Sequence, residues 1–203
     1  MDAIRQAHWL VVGLGNPGPA YAGTRHNLGF SVVERLATEE RATFSSGGIQ
    51  CKVALIQIAG IPILLLKPQT FMNRSGAAVS EWLGLLRLSP ADLVVVHDDL
   101  DLPLGRIRIV ASAGPGGHRG VLSIQEHLGT RDFARLRIGI GRPGAGEAAT
   151  DRVLTEFLED EAPVVAEVVE RCAAALRCLI LDGVGSSMNR YNGRDISDVP
   201  SSG

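Results

Sequence analysis

Three stretches of the 203-residue chain hold side chains whose types and spacing could do chemistry. Gly13-Leu-Gly-Asn-Pro-Gly18 runs through Pro19 and Tyr21 to Thr24-Arg-His-Asn27, so one imidazole, His26, follows a loop stiffened by glycine and proline. His97-Asp98-Asp99-Leu-Asp101 ends an apolar run, and Lys67-Pro-Gln-Thr-Phe-Met-Asn73-Arg-Ser-Gly76 bridges a strand and a helix. A carboxylate that accepts a hydrogen bond from one imidazole nitrogen fixes the tautomer and raises the basicity of the other. If His26 and Asp98 meet, they can deprotonate water. No GxSxG elbow occurs and no cysteine adjoins a histidine, so attack by activated water is a better reading than a serine or cysteine nucleophile.

Other residues admit two readings. Asn16, fixed between Gly15 and Pro17, is either part of a tight turn or an amide aimed at a substrate carbonyl. Asn73 is either a capping amide of a helix whose N-cap is Thr70 or a group facing the edge where His26 stands. Gly114-Pro-Gly-Gly-His-Arg-Gly120 is either a flexible loop or an anion cradle, with spare backbone N–H groups at a helix start and Arg119 beside them. Gly13 to Gly18 matches GxGxxG, but Pro17 and Pro19 delay the helix and no acid ends a second strand about twenty residues on, so dinucleotide binding is the weaker reading. A divalent metal at Asp98, Asp99 and Asp101 is weak as well. Strand alternation puts Asp98 opposite the other two, which are expected in a solvated turn.

The elements that must position these groups follow from periodicity. Apolar runs at 8–14 and 93–96 predict buried strands, 51–59 and 61–66 a hairpin, and 106–110 and 136–140 alternating strands. Helical spacing predicts helices over 27–41, 70–88, 118–128 and 160–181, with a polar ending at 186–195. Strands alternating with helices imply an α/β fold: a single three-layer domain, residues 1–195, with a mixed twisted sheet flanked by helices on both faces. Residues 196–203 are expected to fray. In such a sheet, the loops after the first strand and after the 93–96 strand share one edge, which is where ligands bind.

Bulk properties bound the function. The chain is 45% hydrophobic, with three scattered cysteines, no long apolar leader at its start and no run long enough to span a bilayer, so a cytoplasmic protein that does not enter a membrane is expected. Net charge is only −2, yet residues 101–143 hold seven arginines against three acids, and 147–182 nine acids against three arginines. That polarity suits a face that binds a phosphate backbone, or simply reflects solvated charges.

Taken together, VVGLGNPGPAYAGTRHNLGF, LLLKPQTFMNRSG, VVVHDDLDLPLG, GPGGHRG, LRIGIGRP and SSMNRYN resemble the bacterial-type peptidyl-tRNA hydrolase family, in order from Trp9 to Asn192. The resemblance implies a cofactor-free and metal-free esterase that releases peptides from peptidyl-tRNA shed by ribosomes, expected as a monomer. It assigns His26 as the base, Asp98 as its partner, and Asn16 and Asn73 as groups holding the peptide and steadying water or the oxyanion. Tyr21, Phe71 and Met72 line the cleft, and Arg108 and Arg137 contact tRNA. Two positions depart from the pattern. Arg119 stands where the bacterial members carry asparagine, and Val110 where a lysine is common. Arg119 therefore leaves open a rival, a non-catalytic RNA-binding protein on the same scaffold, against which the joint presence of His26, Asp98, Asn16 and Asn73 argues.

Overall fold

Strand β1 (Trp9–Gly13) lies near the middle of a seven-stranded sheet and organises both of its halves. The structure is a computed structural model that describes residues 3–48, 50–144 and 146–193. After β1 come α1 (Leu28–Glu39), β2 (Ser45–Ser46), β3 (Cys51–Ile58), β4 (Ile61–Pro68) and α2 (Ser75–Leu86). Then follow β5 (Leu93–Asp99), β6 (Ile107–Val110), α3 (Arg119–Leu128), β7 (Ala134–Gly139), α4 (Ala149–Leu154) and α5 (Ala162–Tyr191). The strand order is β2-β3-β4-β1-β5-β7-β6. Strands β4, β1, β5 and β7 are parallel, while β3 pairs with β4, and β6 with β7, antiparallel. The expected mixed sheet and hairpin are both present.

Alternation along the strands divides the core in two. Val11, Val94, Val96 and Leu136 pack with α1 and α5, through Val32, Leu36, Val168 and Leu176. Leu10, Val12, Leu93 and Val95 pack with α2 and α3, through Val79, Trp82, Val121 and Ile124. Two glycines let α1 sit on the sheet. A Cβ at Gly13 would lie 2.2 Å from the Gly29 carbonyl oxygen, and one at Gly29 would lie 2.4 Å from that of Val96. The glycine-rich start of the loop is therefore a close-packing device, and the α1 N-terminus is not set against a pyrophosphate.

The chain leaves β1 toward β4 on one side and returns from β4 to β5 on the other. The parallel sheet thus switches direction between β1 and β5, and a crevice opens beyond their carboxyl ends. The loop after β1 and the end of β5 both enter it.

Several boundaries differ from expectation. The 27–41 helix begins at Leu28, after a 3-10 turn over Arg25–Asn27. The 70–88 helix begins at Ser75, after a 3-10 turn over Met72–Arg74, and Thr70 is not its N-cap. The Met72 N–H that Thr70 would have capped donates instead to Asn16 Oδ1 at 2.9 Å. The polar ending at 186–195 is helical as far as Tyr191: α5 kinks at Gly183 (φ 86°) and resumes, burying Ser187 and Tyr191. Asn192 then closes the exposed edge of β6 with both halves of its amide, accepting from Ile109 N–H at 2.7 Å and donating to Ile109 O at 2.9 Å. The acidic helix is a core layer. The expected tail, 196–203, lies outside the described residues.

Candidate active site

Asp98 is the last buried carboxylate on its face of β5, and its Oδ1 receives two imidazoles. His26 Nδ1 lies 2.8 Å away and His118 Nε2 3.0 Å away. His118 is the N-cap of α3, and its Nδ1 accepts the N–H groups of Gly120 (3.2 Å) and Val121 (3.3 Å). An acceptor at Nδ1 leaves the proton on Nε2, so His118 donates to Asp98. His26 likewise donates from Nδ1, which leaves its Nε2 lone pair with no partner among the described residues and turned to the adjoining cavity. Burial alone would raise the Asp98 pKa, but the imidazoles of His26 and His118 hold it well below the usual carboxylate range. Asp98 therefore stays an acceptor for both rings.

That cavity, about 180 Å³, is bounded by His26, His97, Asp98, Leu100, Pro115 and His118, with Arg119 at the start of α3 and Ala149, Thr150 and Val153 of α4. Leu100, Pro115, Ala149 and Val153 give it an apolar wall, beside which charge interactions are stronger than in bulk water. His97 lies behind His118, ring centroids 4.7 Å apart, with Nδ1 donating to the Asp98 carbonyl at 2.7 Å. Burial first, and then the neighbouring His118, push His97 well below the ordinary histidine range.

Asn16 is tied to the same turn by its neighbour. Asn27 Oδ1 accepts the Asn16 N–H at 2.8 Å, and Asn27 Nδ2 donates to Asn16 O at 3.0 Å. This reciprocal pair fixes Asn16 relative to the residue beside His26. Because Asn16 Oδ1 is occupied by Met72 N–H, the amide is oriented with Nδ2 as the group left to donate.

The other expected residues do not line the His26 cavity: Tyr21, Phe71, Met72 and Asn73 lie on the turns after β1 and β4, and Arg108 and Arg137 on β6 and β7. Tyr21 is half-buried on a 3-10 turn, Phe71 is 58% exposed, and Asn73 is exposed on the turn after β4. Met72 is buried, its sulfur against Gly120 where a Cβ would be 2.5 Å away, so it packs α3 against the loop after β4. Arg108 is exposed and opposes Arg137 across β6 and β7. Arg137 is half-buried, with its Nε paired to Asp99 Oδ2.

One expectation needs correction. Asp99 is not in a solvated turn: it is buried on the opposite face from Asp98 and neutralises Arg137, while Asp101 pairs with Arg142. Each of the three carboxylates thus has its own partner, Asp98 the imidazoles of His26 and His118, Asp99 Arg137 and Asp101 Arg142. The loop before α3 is anchored by two buried side chains, Gln125 on Ala113 O (2.9 Å) and Arg135 on Gly114 O (2.9 Å). The α3 N–H groups expected to cradle an anion are shared with His118.

His26, Asp98 and His118 do place ligand atoms within 4.8 Å of one another. The cap geometry opposes a metal there, because His118 would have to ligate through Nε2 and move its proton to Nδ1, where two N–H groups already point.

His118, Asn27 and α4 were not among the residues singled out from sequence. The one available signal for His118 was a histidine directly before a helix start, on a loop returning to the ligand-binding edge. Asn27 looks like any helix-start asparagine, and α4 has no apolar period.

A mixed, doubly wound sheet with an imidazole held by a buried carboxylate at its switch point defines an α/β protein with a His–Asp pair at its ligand-binding edge. The family profile described as peptidyl-tRNA hydrolase matches residues 10–199, and the chain belongs to that family. It is 48% identical over 183 residues to the peptidyl-tRNA hydrolase of Syntrophomonas wolfei, covering 90% of this chain and 99% of the relative. To that of Frankia alni it is 44% identical over 184 residues, covering 91% and 93%. The crystal structure of peptidyl-tRNA hydrolase from Acinetobacter baumannii superposes with a TM-score of 0.87 at 35% identity, covering 93% of this chain and 96% of that one.

Proposed function

We propose that the chain hydrolyses the ester joining a peptide to tRNA, with His26 as the general base. One observation carries the assignment of the base: Asp98 fixes the His26 proton on Nδ1, leaving the Nε2 lone pair toward the cavity. In this reading Nε2 takes a proton from a water. The hydroxide attacks the ester carbonyl, and the resulting imidazolium returns the proton to the departing ribose oxygen. Asp98 remains ionised throughout and steadies the imidazolium.

Asn16 Nδ2 and the Asn73 amide serve as donors to the peptide and to the developing oxyanion, an interaction worth about 3 kcal/mol in the transition state. Tyr21, Phe71 and Met72 border the path of the peptide. Arg119 adds a fixed positive charge and hydrogen-bond donors at the cavity mouth, where the tRNA 3′ end arrives. Arg108, supported by Arg137, meets acceptor-stem phosphates. The reading takes the chain to act as a monomer. Its three cysteines are buried and free, as suits the reducing cytoplasm. None of the described helices is long and apolar enough to cross a membrane.

Release of labelled peptide from N-acetyl-aminoacyl-tRNA, with and without chelator, tests the reading. Chelator-insensitive turnover is expected. Binding of the tRNA without cleavage would contradict it.

A further inference from the structure

Arg25, beside His26, is only 1% exposed although its turn borders the open crevice. Its carbonyl closes its own 3-10 turn by accepting the Leu28 N–H, while its backbone N–H and guanidinium reach across to the segment that follows α4. Its backbone N–H donates to Thr155 O at 3.0 Å, and Nε to Thr155 Oγ1 at 3.3 Å. Nη2 pairs with Glu161 Oε2, and the guanidinium lies 4.5 Å above the centre of the Phe157 ring. Thr24 extends the same junction as an antiparallel bridge to Glu156. Glu161 Oε2 in turn accepts the Leu158 N–H at 2.8 Å, so the carboxylate folds the segment back on itself.

Beyond this junction the segment is held by Arg152, whose Nη2 donates to Ile140 O at 3.3 Å and lies 3.9 Å from Glu161 Oε1, and by Val153 and Phe157, half-buried against the core. α4 has six residues and buries none of them, and Leu154 and Leu158 are 45% and 63% exposed. A helix this short is not stable by itself. Yet Ala149, Thr150 and Val153 form a wall of the cavity that His26 enters.

We infer that Arg25 is a positioning residue for hydrolysis: with Thr155 and Glu161 it clamps the α4 wall to the turn that presents His26. The clamp sets the distance between base and wall and keeps bulk water out of the cavity. The inference rests on the hydrolase reading above. Misplacing a reacting group by about 1 Å can cost about 100-fold in rate. The loss therefore belongs in kcat, while tRNA, held elsewhere, binds as before.

The test measures kcat and KM on N-acetyl-aminoacyl-tRNA, affinity for deacylated tRNA, and backbone hydrogen exchange, in wild type, Arg25→Met, Glu161→Met and the double variant. Methionine keeps an apolar stem against Phe157 and removes the polar clamp. Expected are a kcat loss of about 10- to 100-fold in each single variant and tRNA affinity within about twofold of wild type. The double variant should be no slower than the slower single one. Exchange should quicken in 149–161 while α2 and β5 stay protected. A kcat within twofold of wild type in both single variants would overturn the inference, as would exchange that quickens equally throughout the core. Should Arg25→Met not fold, Glu161→Met and Glu161→Gln carry the same limits. No turnover by wild type would instead sink the hydrolase reading, and this inference with it.

Discussion

Asp98 Oδ1 lies 2.8 Å from His26 Nδ1, and the same oxygen takes a second imidazole, His118 Nε2, at 3.0 Å. One carboxylate thus orients the base and ties it to the N-terminus of α3. The two rings stand 4.8 Å apart. The consequences can be separated by substitution.

Asp98→Asn keeps the shape of the site and removes its fixed charge. An amide can present N–H to His26 and turn the imidazole to the wrong tautomer. Turnover should fall by roughly 10²- to 10⁴-fold, the span of a general-base contribution. Steady-state kinetics at saturating substrate measures it, and a loss below tenfold would contradict the orienting role.

His118 has two duties that different residues can separate. Asparagine is a good N-cap and alanine a poor one, so His118→Ala should lose about 1 kcal/mol of stability and His118→Asn much less. Both lose the bond to Asp98, so both should lower kcat. Thermal melts and kinetics on the same samples would show the two effects parting. Equal stability of the two variants would argue against the cap.

His97 sets a pH dependence of stability. It is buried, faces His118, Asp98 and Arg135, and its pKa lies well below the ordinary value of 6.5. Below that pH the unfolded chain takes up a proton that the folded chain refuses. Stability is therefore complete above about pH 6.5 and falls, as pH drops, by about 1.4 kcal/mol per unit until the folded-state pKa is reached. Asp98, whose pKa is also depressed, adds its loss only below the ordinary carboxylate value of 3.8. Denaturant titrations between pH 7 and pH 5 should give a steeper decline for wild type than for His97→Gln. Parallel curves would show that His97 is not the group responsible.

How far the sequence disclosed this site depended on the range of the interactions. Four continuous apolar residues, Leu93 to Val96, could only be a buried strand, and Asp98 follows them. With His26 after another such strand, the switch-point geometry alone brought the pair together. What escaped depends on partners distant in the chain. Thr70 had every local mark of an N-cap, but Asn16, 56 residues before Met72, took the N–H it would have bound. Asp99 seemed solvated because charges usually are; strand register put it diagonally across from Arg137 on the same face of β5 and β7. The helix 184–191 is polar in sequence, and it forms because Tyr191 and Ser187 find buried places against the first part of α5.

The central claim is that His26 is the base, and His26→Ala tests it most directly. Single-turnover release of peptide from N-acetyl-aminoacyl-tRNA should be lost to background in the variant, with affinity for deacylated tRNA within about twofold of wild type. Peptide release at near wild-type rate by His26→Ala would contradict the account.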